Sequence, residues 1–197
     1  MNTVKITAGK YRGLTLVTPG EGTHPMGARE RLALFNMIAG YLEGARILDA
    51  YAGSGALGIE ALSRGANEAL FVEKSHVAMR TIMMNCAALG LRDEEVAFYR
   101  GSVAEFDRKI VQGRGLVVDP RMAMATMSFP DKVEVILADP PYDNFVPEEI
   151  GHLANDYLSK GGILGLSHPG ETPELTGLNL LKTKKYAGAR ISIYQQG

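Results

Sequence analysis

Ala45-Arg46-Ile47-Leu48-Asp49-Ala50-Tyr51-Ala52-Gly53-Ser54-Gly55-Ala56-Leu57-Gly58 decides the fold. The first five residues read as a short buried strand. Gly53, Gly55 and Gly58 then form G-x-G-x-x-G, and a helical pattern runs on to Arg64, with Gly65 placed to end it. Glycines that turn a strand directly into a helix bring backbone N–H groups close to a ligand. By itself the motif serves several nucleotide-like cofactors, NAD included.

Strand and helix keep alternating downstream. Ala69–Glu73 is a second strand, and Ser75 caps a helix whose Met79, Ile82, Met83, Cys86 and Leu89 form an apolar face ending at Gly90. Val96–Tyr99 is a third strand, Val103–Val111 a short helix and Val133–Ala138 a fourth strand. A helix from about Glu148 to Leu158 and strands near Ile163–Leu166, Leu178–Leu181 and Ile191–Tyr194 complete the chain. This order predicts an α/β fold, a Rossmann-like doubly wound and mostly parallel sheet. Upstream, Val4–Val17 reads as a β-hairpin around Gly9–Gly13. A helix is predicted from about Ala28 to Leu42, with Leu34, Phe35, Ile38, Tyr41 and Leu42 on one stripe. Residues 1–43 are thus an N-terminal extension and 44–197 the main domain, while residues 112–131, with Met122, Met124 and Met127, match no element.

Composition narrows the class. Hydrophobic residues at 46% and charged residues at 22% describe an ordinary globular protein. No apolar run approaches the roughly 20 residues that span a bilayer. The start, Met1-Asn2-Thr3-Val4-Lys5, has no signal-peptide core. The expectation is a cytoplasmic monomer. The single cysteine, Cys86, permits no internal disulfide, and four scattered histidines offer no metal motif. Net charge is −1, so a polyanion would have to be held by local clusters. Lys5, Lys10, Arg12, Arg29 and Arg31 stand near the start against Glu21 and Glu30, and Lys182, Lys184, Lys185 and Arg190 near the end. The charge pattern alone reads as ordinary solvated surface; the alternative is one patch, in which Lys10, Arg12, Arg29 and Arg31 would contact phosphates.

Three features converge at the carboxyl ends of the strands. Asp49 closes the first, either as a turn-holding carboxylate or as an acceptor for an ammonium or a water. Glu73 closes the second, where ribose hydroxyls lie in such folds. Asp139-Pro140-Pro141-Tyr142 follows the fourth. Alone it is a proline-rich turn. In this position it offers a carboxylate, two rigidly aimed carbonyls and a flat ring, which suits a planar base carrying an exocyclic amine. A glycine loop beside acids, with no pyrophosphate partner, fits S-adenosylmethionine better than NAD. That molecule carries a carboxylate for the loop, an ammonium for an acid and a ribose for Glu73.

Taken together, Ile6–Gly13, the helix bearing Arg29, Arg31 and Leu34-Phe35-Asn36, Leu48–Gly65, Phe71-Val72-Glu73-Lys74, Asn85 and Asp139–Tyr142 resemble the RsmD family over nearly the whole chain. These are class I S-adenosylmethionine-dependent methyltransferases acting on guanine N2 in small-subunit (16S) ribosomal RNA. The resemblance implies a cofactor site at Asp49, Ala50, Tyr51, Gly53, Gly55, Glu73, Lys74, Ser102 and Val103. It implies catalysis by Asp139, Pro140, Pro141 and Tyr142, and ribosomal RNA or the assembling small subunit as partner. The flipped guanine would stack on Tyr142 and donate its amine to Asp139 and the Pro140 carbonyl. The chain departs from the family pattern at His24–Ala28, where Met26 and Ala28 replace polar residues, and at Ser102, where an acid is usual. Methylation of adenine N6 or cytosine N4, or a decayed RNA-binding relative, are the alternatives.

Overall fold

The computed structural model describes residues 3–20, 26–111, 132–186 and 188–197. Residues 112–131, and His24 and Pro25 of the departing stretch, lie outside these. The hairpin is β1 (Thr3–Lys5) and β2 (Thr15–Val17), paired antiparallel, followed by α1 (Ala28–Met37). The apolar runs become β3 (Arg46–Ala50), β4 (Glu68–Glu73), β5 (Val96–Arg100), β6 (Val133–Ala138) and β7 (Leu158–His168). Between them lie α2 (Ala56–Ser63), α3 (His76–Ala88), α4 (Val103–Val111) and α5 (Pro147–Tyr157). β8 (Leu178–Tyr186) and β9 (Ala189–Gln196) close the chain as a hairpin longer than the apolar runs alone suggest.

The seven-stranded sheet has the order β5-β4-β3-β6-β7-β9-β8, and only β9 runs against its neighbours. The expected Rossmann-like architecture is therefore present. Strands buried on both faces carry near-continuous apolar runs, and β6 is such a run: Val135 and Leu137 join one buried cluster, and Val133, Ile136 and Ala138 the other. The first cluster is roofed by α1, α2 and α3, the second by α4 and α5. The change of side falls between β3 and β6, whose ends meet at Ala50 and Ala138. This is the switch point where open α/β sheets hold ligands.

One expectation about the amino-terminal part is corrected. The first long helix ends at Met37 and tightens into a 3₁₀ turn at Ala39–Tyr41. Leu34, Phe35, Ile38 and Leu42 are buried, but Tyr41 is exposed. The hairpin packs onto the main domain: Val4, Ile6, Tyr11 and Leu16 join the same cluster as Ile47, Ile59 and Met79. Polar contacts dock it. The buried Glu60 carboxylate accepts from the Thr7 N–H (2.8 Å), the Thr7 hydroxyl (2.6 Å), the Ala8 N–H (3.0 Å) and Arg64 Nε (2.8 Å). Lys10 N–H donates to Ser63 O, and Tyr11 N–H to Ser63 Oγ. Ser63 is the last residue of α2, which starts at the carboxyl edge and runs back. The hairpin tip therefore sits at the opposite, amino edge of the sheet.

Candidate active site

The loop leaving β3 is held in an unusual backbone shape. Tyr51 (φ 64°), Gly53 (φ 57°) and Gly55 (φ 76°) all take left-handed conformations. For tyrosine this costs on the order of 1–3 kcal/mol and persists only where neighbours fix it. Here its hydroxyl donates to Glu149 Oε1 at 2.7 Å in the first turn of α5, tying the loop to a helix on the other side of the switch point. Burial and the adjacent Glu149 carboxylate raise the hydroxyl's pKa, so it stays a donor. Gly58 is required by closeness: a Cβ there would lie 2.4 Å from the Phe71 ring and 3.1 Å from Asp49 Oδ2.

Asp49 is wholly buried, and its Oδ2 accepts the Gly58 N–H at 2.8 Å. The turn-holding role is thus filled by one oxygen. The other, Oδ1, is buried without a hydrogen-bond partner. Burial raises its pKa well above the usual carboxylate range, and the charges of Asp139 and Glu73 raise it further against the pull of the Gly58 N–H. Glu73 is oriented by two backbone donors, Gly53 N–H to Oε2 (2.9 Å) and Ser75 N–H to Oε1 (2.7 Å). Ser75 caps α3 as expected, accepting from Ala78 N–H at 3.3 Å. Three carboxylates therefore face one small region. Such a region attracts a cationic ligand.

Asp139 follows Ala138, the last residue of β6. Burial raises its pKa to about 6, against hydrogen bonds from the Ser167 hydroxyl and the Met26 backbone N–H. Met26 is one of the residues lacking a polar side chain; its backbone makes the contact instead. The Ser167 hydroxyl also lies 2.6 Å from the Tyr142 hydroxyl. The Ser167 hydroxyl has one proton; given to the Asp139 carboxylate, it leaves Tyr142 as the donor to Ser167 and links the three groups in a chain. Ser167 is 1% exposed and comes from the end of β7, 25 residues beyond Tyr142. No local signal in the sequence marks it. The Tyr142 ring stays 37% exposed, and its orientation is set through its hydroxyl. Pro140 is buried and Pro141 exposed.

The remaining predicted residues divide. Ala50 and Val103 are buried, and Lys74 is exposed at the end of β4. The Ser102 hydroxyl is committed to a capping box: it accepts from Glu105 N–H (3.2 Å) and donates to Glu105 Oε2 (3.1 Å), which also accepts the Ser102 N–H (2.8 Å). It caps α4, and its second lone pair is left for a ligand, as the expected acceptor role requires. The expectation for Arg31 is corrected. It is 2% exposed, with Nη1 donating to Met26 O (3.1 Å), Nη2 to Lys5 O (2.7 Å) and Nε 3.7 Å from Glu60 Oε2. It braces the hairpin and cannot reach a phosphate. Lys10 and Arg12 are exposed but lie at the amino edge, away from Asp139. Arg29 is exposed on the first turn of α1, beside the Met26 contact.

A sequence profile for the family described as "Conserved hypothetical protein 95" matches residues 4–195. Together with the relatives below, this decides the family. The chain belongs to the RsmD family. This RsmD-family chain is 30% identical over 200 residues to YlbH of Bacillus subtilis, named as a candidate rRNA methyltransferase; the match covers 98% of this chain and 99% of YlbH. It is 29% identical over 197 residues to the ribosomal RNA small subunit methyltransferase D of Haemophilus influenzae, covering 98% and 93%. Among solved structures, the candidate methyltransferase YhhF of Escherichia coli superimposes with a TM-score of 0.79 at 25% identity, covering 99% of this chain and 98% of YhhF. The fold is that of a class I methyltransferase.

Proposed function

We propose that this RsmD-family chain transfers a methyl group from S-adenosylmethionine to the exocyclic N2 amine of a guanine in small-subunit ribosomal RNA. The observation that carries the reading is the Asp139 carboxylate. It closes β6 at the switch point beside the glycine loop, and it is aimed by Ser167 and Met26 with the Tyr142 ring next to it. The names of YlbH and the Haemophilus protein support an RNA substrate, and a cytoplasmic location goes with that reading.

S-adenosylmethionine, when bound, supplies an electrophilic methyl group on a cationic sulfur. The residues present fit it. Asp49 Oδ1, buried and without a partner, is an acceptor for its ammonium, and the opening N–H groups of α2 suit its carboxylate. Glu73, already fixed by Gly53 and Ser75, retains lone pairs for ribose hydroxyls. The ligand's positive charge offsets repulsion among Asp49, Glu73 and Asp139.

On the substrate side, Tyr142 presents a ring face for stacking while its hydroxyl is held by Ser167. Asp139 and the Pro140 carbonyl accept the two N–H groups of the amine, fixing the direction of its lone pair. An amine becomes acidic as it gains a methyl group, so a carboxyl near 6 is ionised at neutral pH and basic enough to take the released proton. The test is incubation with labelled S-adenosylmethionine and unmodified small-subunit RNA or subunits. Label in the RNA, lost on Asp139→Asn, supports the reading, and its absence from both substrates refutes it.

A further inference from the structure

The β8–β9 hairpin carries an unexplained run of cations. Register places it next to the site. Ser167 on β7 pairs with Ile191 on β9, which pairs with Lys184 on β8. Laterally paired residues share a face of the sheet. Lys184 therefore projects on the same face as the Ser167 hydroxyl that touches Tyr142, two strand spacings or about 10 Å away. Lys182, opposite Ile193, is on that face as well, and Ile191 and Ile193 are buried in the cluster beneath α1–α3. Tyr186 packs partly against the same cluster, and Lys182 and Lys184 are exposed. α1 lies over this part of the sheet, with Leu34 against Gly165, and its first turn adds exposed Arg29. The acids nearby do not cancel the strip. Glu30 on α1 has its carboxylate folded back against Gly27. Glu171 and Glu174 lie on a connection whose Thr172 and Pro173 bond to Thr183 and Tyr194, on the opposite face.

We infer that Lys182, Lys184 and Arg29 form the phosphate-binding strip that leads an RNA strand to Tyr142 and Asp139. This rests on the RNA-methylating reading above and replaces the hairpin tip, which the fold puts at the far edge, as the principal RNA contact. Cations at this spacing beside an exposed aromatic ring match a single strand entering with one base turned out of its stack.

The experiment compares Lys182→Gln/Lys184→Gln with Lys10→Gln/Arg12→Gln. Fluorescence anisotropy follows binding of a labelled small-subunit RNA fragment at several salt concentrations, and calorimetry with S-adenosylmethionine checks that each variant keeps its cofactor site. Two neutralised phosphate contacts should lower the slope of log K against log salt by roughly 1.5 in the β8 variant. The tip variant should match wild type, and methyl transfer by the β8 variant should show a raised KM with kcat retained. An unchanged slope in the β8 variant, or an equal loss in both, overturns the inference while leaving the enzyme reading intact. Wild-type protein that binds neither the RNA nor small subunits overturns both.

Discussion

Removing the Ser167 hydroxyl tests the Tyr142–Ser167–Asp139 chain. In Ser167→Ala the carboxylate loses a donor, and a hydrogen bond to a charged group contributes about 1.5–3 kcal/mol. One pKa unit corresponds to about 1.36 kcal/mol, so the Asp139 carboxyl should rise from about 6 by roughly one to two units. The sign follows from which form the bond favours: the hydroxyl stabilises the ionised form, so its loss favours protonation. At pH 7 the ionised fraction would fall from about nine-tenths to between roughly a half and a tenth. The assay is kcat for methyl transfer against pH, with a carbon-13 titration of the Asp139 carboxyl as a readout independent of activity. The acid limb should move up by roughly one to two units, and activity should recover in large part near pH 9. Ser167→Thr, which keeps a hydroxyl, should restore the wild-type profile. If the limb and the titration both stay near 6 in Ser167→Ala, the chain of hydrogen bonds does not act on Asp139.

Tyr142→Phe leaves the ring but cuts the 2.6 Å bond to Ser167; it should lower kcat by about tenfold, with Tyr142→Ala lower still, and equal rates for wild type and Tyr142→Phe would show the anchor to be idle. Arg31→Ala strips a buried partner from Glu60 and should destabilise the fold by about 3–5 kcal/mol, read as a fall of roughly 10 °C in Tm, with the salt slope of RNA binding unchanged. Asp139→Asn should abolish methyl transfer yet stabilise the protein at pH 8. Because the folded carboxyl stands at about 6 against an ordinary 3.8, its favourable contribution is complete below pH 3.8 and lost as pH rises through 6. The stability gain of the variant is at most about 3 kcal/mol and should vanish below pH 4, as chemical denaturation at the two pH values will report.

Short-range patterns carried most of the fold. The limits of α4 and β6 agree with the apolar runs, and Ser75 caps α3 as its position suggested. Two further features also had legible causes. Arg31 stands three, four and seven residues before Leu34, Phe35 and Ile38, so it occupies their buried stripe and was bound to be covered. Ser102 and Glu105 spell S-x-x-E at a helix start, the pattern of the capping box it forms. Ser167 is different. It meets Tyr142 only because β7 lies beside β6, a juxtaposition set by sheet order and invisible to local spacing. The docking of the hairpin tip at Ser63 is likewise tertiary, and it separates two groups of cations that the one-patch alternative joins.

The most direct measurement is nucleoside mass spectrometry of small-subunit RNA after reaction with wild-type protein and with Asp139→Asn, each supplied with S-adenosylmethionine. The account predicts N2-methylguanine at one position with the wild type and none with the variant. N6-methyladenine or N4-methylcytosine in its place, or N2-methylguanine formed equally by Asp139→Asn, would contradict it.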